Sequence, residues 1–322
     1  MAYEGGLIGE HSTLHEVRRL ISRVAASSAR AVLIYGETGT GKGVVARLIH
    51  QQSSRARQEF VDVNCAAIPD NLLESELFGH EKGAFTGALA KKSGLIEVAD
   101  RGSIFLDEIR DMNSVMQAKL LTLMDTQRFR RVGAVKPIEV DVRFIAATNR
   151  ILLSEVKEGR FREDLYYRLQ VVAINIPPLR ERGDDVFVLT DHFLRKFSAR
   201  YGRRILGMEP AVRDTFRRYP WPGNVRELEN LLERIFILED DEIILMRHLP
   251  ARIPREAERA QGAEAAQGVG AVDYHAATTA FQANLIRKAL SACDDNIGLA
   301  AELLGLSRHA LRHQMLKLGM RQ

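Results

Sequence analysis

Gly36-Glu37-Thr38-Gly39-Thr40-Gly41-Lys42 is the stretch that decides the expected fold. It follows the apolar run 31–35 and precedes the amphipathic segment 43–51, as when a strand turns through glycines into a helix. The glycines let successive backbone N–H groups turn inward around phosphate oxygens, and Lys42 and the helix N-terminus add positive charge there. A glycine-rich turn without a ligand is the alternative, but the strand before and the helix after are the context that this motif requires. The sequence therefore predicts a phosphate-binding P-loop.

Two adjacent acidic residues, Asp107 and Glu108, follow the apolar run 103–106 and so stand at the tip of a predicted strand. Adjacent side chains on a strand point apart, so we expect Asp107 to face Mg²⁺ and Glu108 to face an attacking water. An acidic cap on the next helix is the alternative. The P-loop, about 65 residues upstream, favours a catalytic pair. Gly43 stands where a Ser or Thr hydroxyl would bind the ion, so Mg²⁺ is expected to depend on water, phosphate and Asp107.

Short apolar runs alternate with helical stretches through residues 1–176, which predicts an α/β fold with a parallel sheet covered by helices. The predicted strands are 31–35, 60–63, 103–106, 142–146 and 171–176. Helical spacing in the same region covers 43–51 and 114–126. After Pro177-Pro178 the strand pattern stops, and helical spacing covers 185–201, 210–219 and 225–238. We therefore expect an α/β subdomain over 1–176 and a small all-helical lid over 177–250.

Composition places the chain among ordinary globular proteins. Of its 322 residues 46% are apolar and 27% are charged, which excludes wholesale disorder, a fibrous repeat and a disulfide scaffold. No apolar run approaches the ~18 residues of a membrane-spanning helix, and no secretory signal is visible at the start. Two distant cysteines, Cys65 and Cys293, suit a reducing cytosol. The formal net charge of +4 is a mild indication of a nucleic-acid partner.

The segment 257–271 differs in composition from the rest of the chain. It contains six Ala and three Gly, no aromatic residue and one branched aliphatic residue, Val269. Such a stretch buries too little apolar surface to offset the entropy of ordering it, so we interpret 251–277 as a linker. A helical Ala-rich spacer is the alternative, although the glycines oppose a long rigid one. A separate domain over 278–322 follows.

The hexapeptide Gly83-Ala84-Phe85-Thr86-Gly87-Ala88 places one aromatic residue among small ones. Its spacing does not exclude burial of Phe85 against Ala88 or Leu89. A loop tip that presents an aromatic side chain to a partner explains the glycines better.

Taken together, the motifs resemble the AAA+ domain of bacterial sigma-54-dependent transcription activators. The resemblance covers about residues 7–250 and the tail, in the same sequential order. Besides the hexapeptide, it rests on the segments 63–67 (VNCAA), 129–133 (FRRVG), 147–149 (ATN), 161–169 (FREDLYYRL), 177–182 (PPLRER) and 221–228 (WPGNVREL).

The resemblance implies that ATP is the nucleotide and that one subunit holds its phosphates and Mg²⁺. The residues that it assigns are Gly36, Glu37, Thr38, Gly39, Thr40, Gly41, Lys42 and Gly43 around the phosphates, Asp107 on Mg²⁺, Thr148 and Asn149 at the sensor I position, and Arg226 at the sensor II position on the lid. Glu108 would polarise the attacking water. Asn64 would hold Glu108 away from that water until the cycle permits attack.

Arg162 and Arg168 resemble arginine fingers that a neighbouring subunit supplies. An arginine from outside the site contributes ~10³–10⁵ in rate to phosphoryl transfer. A homo-oligomeric ring, expected to be a hexamer, would then be the working unit. On charge alone, surface ion pairs with Glu163 and Asp164, each worth about 0–1 kcal/mol, explain the two arginines equally well.

The same resemblance gives the hexapeptide a partner, the sigma-54 RNA polymerase holoenzyme. Gly83, Ala84, Phe85, Thr86, Gly87, Ala88 and, on a second loop over 131–133, Arg131 would bind sigma-54. The γ-phosphate would raise these loops and hydrolysis would lower them, which remodels the closed promoter complex into an open one.

The tail has the pattern of a helix-turn-helix. An apolar stripe on 281–290 is followed by the helical segment 297–304, a glycine turn, and Ser307 as the cap of a last helix. Outward-facing candidates for DNA contact on that helix are Ser307, Arg308, His309, Arg312, His313 and Lys317. A solvated basic face is the alternative. The segment 300–308 resembles the Fis-like domain that ends these activators, which implies enhancer DNA as a partner, read by paired tails.

The overall expectation is a cytoplasmic, bacterial sigma-54-dependent activator that binds enhancer DNA and hydrolyses ATP. Because the match begins at Leu7, with no room before it for a receiver domain, we expect a regulatory protein to act in trans. A constitutive activator and a fragment of a longer protein are the alternatives. Two alternatives stay open: a DNA-binding regulator with a vestigial ATPase, which Gly43 supports, and an AAA+ protein that remodels another substrate.

Overall fold

The computed structural model describes residues 6–267 and, in the tail, residues 286, 288–289, 293, 296–304, 306, 311 and 315. Two compact units divide the chain, Met1–Glu258 and Arg259–Gln322. Within the described residues, no helix is both long enough and apolar enough to span a bilayer.

A five-stranded parallel sheet is the centre of the first unit. The strands, in chain order, are β1 (Ala31–Tyr35), β2 (Phe60–Asn64), β3 (Gly79–His80), β4 (Lys92–Ser93), β5 (Ser103–Asp107), β6 (Arg128–Phe129), β7 (Ile138–Glu139), β8 (Arg143–Thr148), β9 (Ala173–Asn175), β10 (Gly207–Met208) and β11 (Ile243–Ile244). The main sheet has the order β2-β5-β8-β1-β9, and each pairing in it is parallel. All five predicted strands belong to this sheet, so the predicted parallel α/β core is confirmed.

Alternate side chains of β1 and β5 enter two different apolar cores, one on each face of the sheet. Leu33 and Ile104 lie in one core, whereas Ile34 and Phe105 lie in the other. Full burial of such a side chain contributes about 1.5–3 kcal/mol, and a strand that is buried on both faces needs apolar residues at every position. Because the five strands of the main sheet run in one direction, the residues after β1, β5 and β8 meet at one edge.

Helices cover both faces of the sheet and form the lid. In chain order they are α1 (Ser12–Ala26), α2 (Lys42–Gln51), α3 (Asp70–Phe78), α4 (Leu95–Val98), α5 (Ser114–Thr126), α6 (Leu152–Lys157), α7 (Glu163–Leu169), α8 (Asp185–Tyr201), α9 (Pro210–Arg218), α10 (Asn224–Leu238), α11 (Arg252–Gln267) and α12 (Ile297–Leu303). Three short 3-10 helices cover Ile109–Asp111, Leu179–Glu181 and Met246–His248.

The lid packs α8, α9 and α10 around Trp221, which is buried. Its indole N–H donates to the Phe216 carbonyl oxygen at 2.9 Å, and the rings of Phe216 and Tyr219 meet it edge-on at 5.1 and 5.0 Å. The predicted helical lid is confirmed. It also contains the parallel pair β10–β11, so it is not all-helical.

The predicted linker over 251–277 is wrong for its first part, because Arg252–Gln267 forms α11. Ile253 and Ala257, one helical turn apart, are buried in the lid core. Ala, Glu, Arg and Gln are strong helix formers, and these two apolar contacts outweigh the single Gly262. The helical alternative therefore holds as far as Gln267, and 268–277 lies outside the described residues.

The described part of the tail contains α12 and a small apolar cluster. Its members are Ile286, Ala289, Ala300, Ala301, Leu311 and Met315. The Asn296 side-chain oxygen accepts from the Gly298 N–H at 3.0 Å, at the start of α12. The predicted DNA-contacting residues, Ser307, Arg308, His309, Arg312, His313 and Lys317, lie outside the described residues.

Candidate functional site

The P-loop turns sharply from β1 into α2. Gly39 and Gly41 have φ of +82° and +102°, a region in which residues with a Cβ are strained. A Cβ on Gly39 would also collide with the Gly223 carbonyl oxygen of the lid. Glycine is therefore required at Gly39 both by its backbone conformation and by the close approach of the lid.

Lys42 is the first residue of α2, and only 6% of its side chain is exposed. Its Nζ donates to the Gly36 carbonyl oxygen at 3.0 Å and lies 3.7 Å from Glu108 Oε1. A buried ammonium group needs such partners. The contact joins the P-loop lysine to the acidic pair that follows β5, as the sequence predicts for one phosphate site.

Asp107 and Glu108 take different directions at the end of β5. The Glu108 N–H donates to Asp107 Oδ1 at 3.0 Å, whereas the Glu108 carboxylate faces Lys42. Glu108 has φ 50° and ψ 49°, the left-handed region, which costs about 1–3 kcal/mol for such a residue. The strained turn separates the two carboxylates, so each is available for its own task.

Asn149, after β8, reaches the P-loop from the neighbouring strand. Its Nδ2 donates to Thr38 Oγ1 at 3.4 Å, and its Oδ1 is buried without a hydrogen-bond partner. The Thr148 hydroxyl is bonded instead to the backbone of Arg150. Of the two predicted sensor I residues, Asn149 is therefore the one whose side chain contacts the P-loop.

The start of α10 lies directly against the P-loop. The N–H groups of Val225 and Arg226 point at the Gly39 carbonyl oxygen, at 3.0 and 3.4 Å. The Arg226 side chain is exposed. The structure thus brings the predicted sensor II residue to the phosphate loop of its own chain.

The hexapeptide forms a closed loop with an exposed tip. The Gly83 N–H donates to the Ala88 carbonyl oxygen at 2.8 Å, and the Ala88 N–H donates to the Phe85 carbonyl oxygen at 3.0 Å. Phe85 is 41% exposed, and its ring meets His80 edge-on at 5.0 Å. Because Ala88 is buried and Phe85 is not, the structure favours presentation of the aromatic side chain.

Arg131 ties the second loop to the base of the first. Its Nε and Nη2 donate to the Glu97 carboxylate at 2.8 and 2.5 Å, and its Nη1 donates to Glu81 Oε1 at 2.8 Å. Only 14% of the Arg131 side chain is exposed, so it does not face outward, as a direct partner contact would require. Although burial acts in the other direction, the bonds from Arg131 hold the pKa of Glu97 below its usual value.

Comparison with known proteins identifies this combination of site and loops. The family model described as the sigma-54 interaction domain matches residues 7–175, more than half of the chain, and the AAA+ ATPase lid domain matches 180–266. The chain belongs to the sigma-54 activator family.

Relatives in this family match almost the whole chain. The nitrogen fixation protein AnfA of Azotobacter vinelandii is 46% identical over 98% of this chain and 57% of its own length. The regulatory protein AtoC of Escherichia coli (strain K12) is 42% identical over 98% of this chain and 68% of its own length. The chain therefore spans little more than half of AnfA and about two thirds of AtoC.

Solved structures agree with the fold. NtrX from Brucella abortus in complex with ADP superposes with a TM-score of 0.70 at 36% identity, over 97% of this chain and 69% of that one. The same protein in complex with ATP gives a TM-score of 0.70 at 35% identity, over 98% and 69%.

The structure of this family member does not join Asn64 to Glu108. The Asn64 side-chain oxygen accepts from the Ala66 N–H at 3.0 Å, a local turn, and the side chain is exposed. β2 pairs in register with β5, which places Asn64 beside Asp107. The predicted Asn64–Glu108 contact is therefore absent between these two described residues, because the bond from Ala66 turns the Asn64 side chain toward its own loop.

The two candidate arginine fingers are exposed and form ion pairs within the chain. Arg162 binds Asp164 through two hydrogen bonds, at 3.0 and 2.7 Å. Arg168 Nε lies 2.9 Å from Asp125 Oδ1, and not against Glu163 or Asp164. The ion pair that the alternative expects is present between Arg162 and Asp164, whereas Arg168 pairs with Asp125; the finger role of both arginines stays a prediction.

Sequence reasoning missed a polar junction between the P-loop and the lid. Asn224, buried and with φ +51°, donates to Glu37 Oε2 at 3.2 Å and to the Thr38 carbonyl oxygen at 3.0 Å, and it accepts from the Leu179 N–H at 2.8 Å. Arg180 adds two hydrogen bonds to Glu37. Asn224 and Arg180 lie in two of the recognised segments, yet the sequence has no signal that pairs them with Glu37.

Two further groups with reactive chemistry have structural roles. His248, Glu239 and Asp241 could together hold a metal ion. The His248 Nδ1 accepts from the Leu245 N–H at 3.1 Å, so Nε2 carries the proton and donates to Asp241 at 2.9 Å. A protonated nitrogen is no metal ligand. Burial raises the pKa of the Cys65 thiol to about 12, which excludes a reactive thiolate.

Proposed function

We propose that this chain is an ATP-hydrolysing activator of sigma-54 RNA polymerase that works as a ring bound to enhancer DNA. The exposed loop Gly83–Ala88 carries the proposal, since a phosphate site alone fits many proteins. It lies in a domain of the sigma-54 interaction family and is tied through Arg131 to a second loop. An ATPase that moves these loops would act on the polymerase.

ATP fits the loop around Lys42. The P-loop N–H groups and the Lys42 ammonium would bind the phosphates, and Asn149 and Arg226 would approach the γ-phosphate from the neighbouring strand and the lid. Asn149 Oδ1 is a buried acceptor without a partner, which a reacting water could satisfy. NtrX, at about a third identity, has been crystallised with ATP and with ADP.

Mg²⁺ fits the acidic pair. Asp107 ends β5 directly before Glu108, which contacts Lys42, so its carboxylate would be available to an ion at the phosphate site. Gly43 offers no side-chain oxygen, and Asp107 would be the protein ligand. When bound, Mg²⁺ would neutralise charge on the phosphate oxygens. Glu108 would accept a hydrogen bond from the attacking water and orient it, and Lys42 would hold the phosphates in line.

A second copy of the chain would complete the site. The intrachain ion pairs of Arg162 and Arg168 are exposed to water, so either arginine can exchange its carboxylate for a phosphate at little cost. Tyr167, between them on α7, is also exposed. We propose that a neighbouring subunit inserts these arginines, which makes a ring, a hexamer in our proposal, the active unit.

Loop movement would convert hydrolysis into work on sigma-54. Phe85 and Thr86 are exposed at the tip and would contact it. Arg131, held between Glu81 and Glu97, would transmit movement between the two loops rather than bind sigma-54 itself. From the sequence, Arg131 was expected to bind sigma-54 directly, so its proposed role is revised.

The remaining parts of the proposal rest on the sequence. The tail would bind enhancer DNA through Ser307, Arg308, His309, Arg312, His313 and Lys317, and a regulatory protein would control the ring in trans. Because its partner is RNA polymerase, the chain would work in the bacterial cytoplasm.

Complex formation with purified sigma-54 tests the proposal. We expect the full chain to co-elute with sigma-54 when loaded with a transition-state analogue of ATP hydrolysis, because the analogue would occupy the γ-phosphate position and hold the loops raised. ADP should give no complex. Failure to bind sigma-54 in every nucleotide state would leave an ATPase that remodels another substrate. Absence of ATP turnover would leave a DNA-binding regulator.

A further inference from the structure

Four buried side-chain atoms lack a hydrogen-bond partner among the described residues: Glu108 Oε2, Arg110 Nε, Arg143 Nε and Asn149 Oδ1. Such an atom costs about 1–3 kcal/mol, so its presence calls for a functional explanation. Asn149 and Glu108 belong to the proposed hydrolysis site. Arg143 donates through its other nitrogens to the carbonyl oxygens that end α1. Arg110 is the one of the four without an assigned role.

Arg110 lies on the far side of the Glu108 carboxylate from Lys42. Lys42 Nζ is 3.7 Å from Glu108 Oε1, and Arg110 Nε is 4.0 Å from Glu108 Oε2. Each carboxylate oxygen therefore faces a different cation. Glu108 and Arg110 are 16% and 23% exposed, so water only partly screens this charge pair.

The short 3-10 helix Ile109–Asp111 holds Arg110 in this position. It begins directly after Glu108, and Ile109 is fully buried in the core under the sheet. Asp111 Oδ1 lies 3.5 Å from the same Arg110 Nε and also attracts the guanidinium. The cation is thus placed by the same strained turn that sets the direction of Glu108.

The two cations differ in what ATP does to them. Lys42 belongs to the P-loop, so its charge would turn to the phosphates when ATP binds, and Glu108 Oε1 would lose its partner. Arg110 lies outside the P-loop and would keep its place beside Oε2. Asn64, whose side-chain oxygen accepts from the Ala66 N–H, makes no hydrogen bond to Glu108 in this conformation.

We propose that Arg110 is a positioning residue for Glu108. By attracting Oε2 it fixes the plane of the carboxylate, so that Oε1 is left to accept the hydrogen bond of the attacking water. The inference rests on the proposed ATP hydrolysis, and the task it gives Arg110 differs from the one expected of Asn64, which was to hold Glu108 away from the water. Arg110 touches neither ATP nor the reacting water.

Steady-state ATPase measurements on the full chain give the first test. We expect Arg110→Gln to lower kcat about tenfold and to leave KM within about twofold, because orientation acts on the chemical step and not on ATP binding. Arg110→Lys should recover most of the loss, since a single cation at 4.0 Å, not a two-bond fork, makes the contact. The matched control is Arg217→Gln, which removes an exposed arginine paired with Asp184 on the lid and should change neither constant.

Unfolding without nucleotide supplies a readout that does not depend on activity. In a double-mutant cycle, Arg110→Gln should raise the unfolding equilibrium constant about fivefold when Glu108 is present and less than about twofold in a Glu108→Gln background. Equal effects in both backgrounds would show that Arg110 does not interact with Glu108 and would overturn the inference.

Different results would overturn the positioning role of Arg110 and the proposed hydrolysis site. If Glu108→Gln abolishes hydrolysis while Arg110→Gln keeps the parental kcat, the role of Arg110 is wrong and the ATPase stands. If Glu108→Gln hydrolyses ATP as fast as the parent chain, the proposed hydrolysis site is wrong, and the positioning role of Arg110 is wrong with it.

Discussion

Arg180 donates two hydrogen bonds to the carboxylate of Glu37, from Nη1 to Oε2 at 2.8 Å and from Nη2 to Oε1 at 2.6 Å. Glu37 is the second residue of the P-loop, and Arg180 lies in the 3-10 helix that leads into the lid. Asn224, at the start of α10, bonds to the same carboxylate. The lid is therefore attached to the phosphate loop by side chains as well as by backbone contacts, so a change in one reaches the other.

The first prediction concerns pH. The hydrogen bonds from Arg180 hold the pKa of Glu37 below its ordinary 4.5. A carboxylate with a lowered pKa in the folded state stabilises the fold above its unfolded pKa, and this contribution is lost as the pH falls through the folded value. Urea unfolding should show a smaller fall in stability below pH 4.5 for Glu37→Gln than for the parent chain. Because the pair is partly exposed, the difference should be no more than about 1 kcal/mol.

A parallel fall in both proteins would show that Glu37 titrates as an isolated carboxylate. Arg180→Gln serves as the reciprocal variant, since it removes the hydrogen bonds that do most to lower the pKa of Glu37.

The second prediction concerns Asn224. Replacing it with Gly keeps the backbone at φ +51° available and removes three hydrogen bonds, which should lower the free energy of unfolding by about 1–3 kcal/mol. Asn224→Asp keeps the oxygen that accepts from Leu179 but places a second carboxylate against Glu37. Its stability should therefore recover as Glu37 becomes protonated at low pH, whereas that of Asn224→Gly should not. Identical pH profiles for the two variants would contradict the contact with Glu37.

The third prediction separates a finger from a surface ion pair. Arg162→Ala should lose nearly all ATPase activity although the residue is exposed and far in sequence from the P-loop. An inactive Lys42→Ala chain still carries Arg162. When the two inactive variants are mixed in equal amounts, about a quarter of the sites between subunits should become active. Half of the sites carry Lys42, and half of their neighbouring subunits supply Arg162.

Mixing that restores nothing would place Arg162 in its own subunit's site or outside catalysis. Asp164→Asn is the control, since it breaks the ion pair but keeps the arginine, and it should retain activity.

The fourth prediction separates ATP hydrolysis from partner binding. Thr86→Ala should keep the parental ATPase rate, because Thr86 is exposed on the loop tip and touches no part of the phosphate site. Binding of sigma-54 in the transition-state complex should weaken at least about tenfold. Thr86→Ser, which keeps the hydroxyl, should bind more tightly than Thr86→Ala. Normal sigma-54 binding by Thr86→Ala would remove the loop tip from the interface.

Features set by local pattern could be predicted from the sequence. The P-loop, the acidic pair Asp107–Glu108 and the strands and helices that carry them follow from apolar periodicity and glycine placement, both of which act over a few residues. The family resemblance also placed Asn149 and Arg226 beside the P-loop, where the structure has them.

Features set by tertiary packing could not be predicted from the sequence. Glu37 meets Arg180 and Asn224 across 143 and 187 positions, and nothing in the residue types selects Arg180 among the 46 Lys and Arg residues or Asn224 among the asparagines. Three-dimensional packing also determines the burial of Arg131 between two glutamates and the position of Arg110 beside Glu108 Oε2. The helix α11 was missed because composition alone does not show that Ile253 and Ala257 share the lid core.

Promoter melting by sigma-54 RNA polymerase tests the central claim most directly. The polymerase is bound to a promoter fragment, the full chain is added with ATP or with a non-hydrolysable analogue, and permanganate reactivity reports unpaired thymines near the start site. We expect the promoter to melt with ATP and to stay double-stranded with the analogue. Steady ATP turnover by the assembled ring while the promoter stays double-stranded would contradict it.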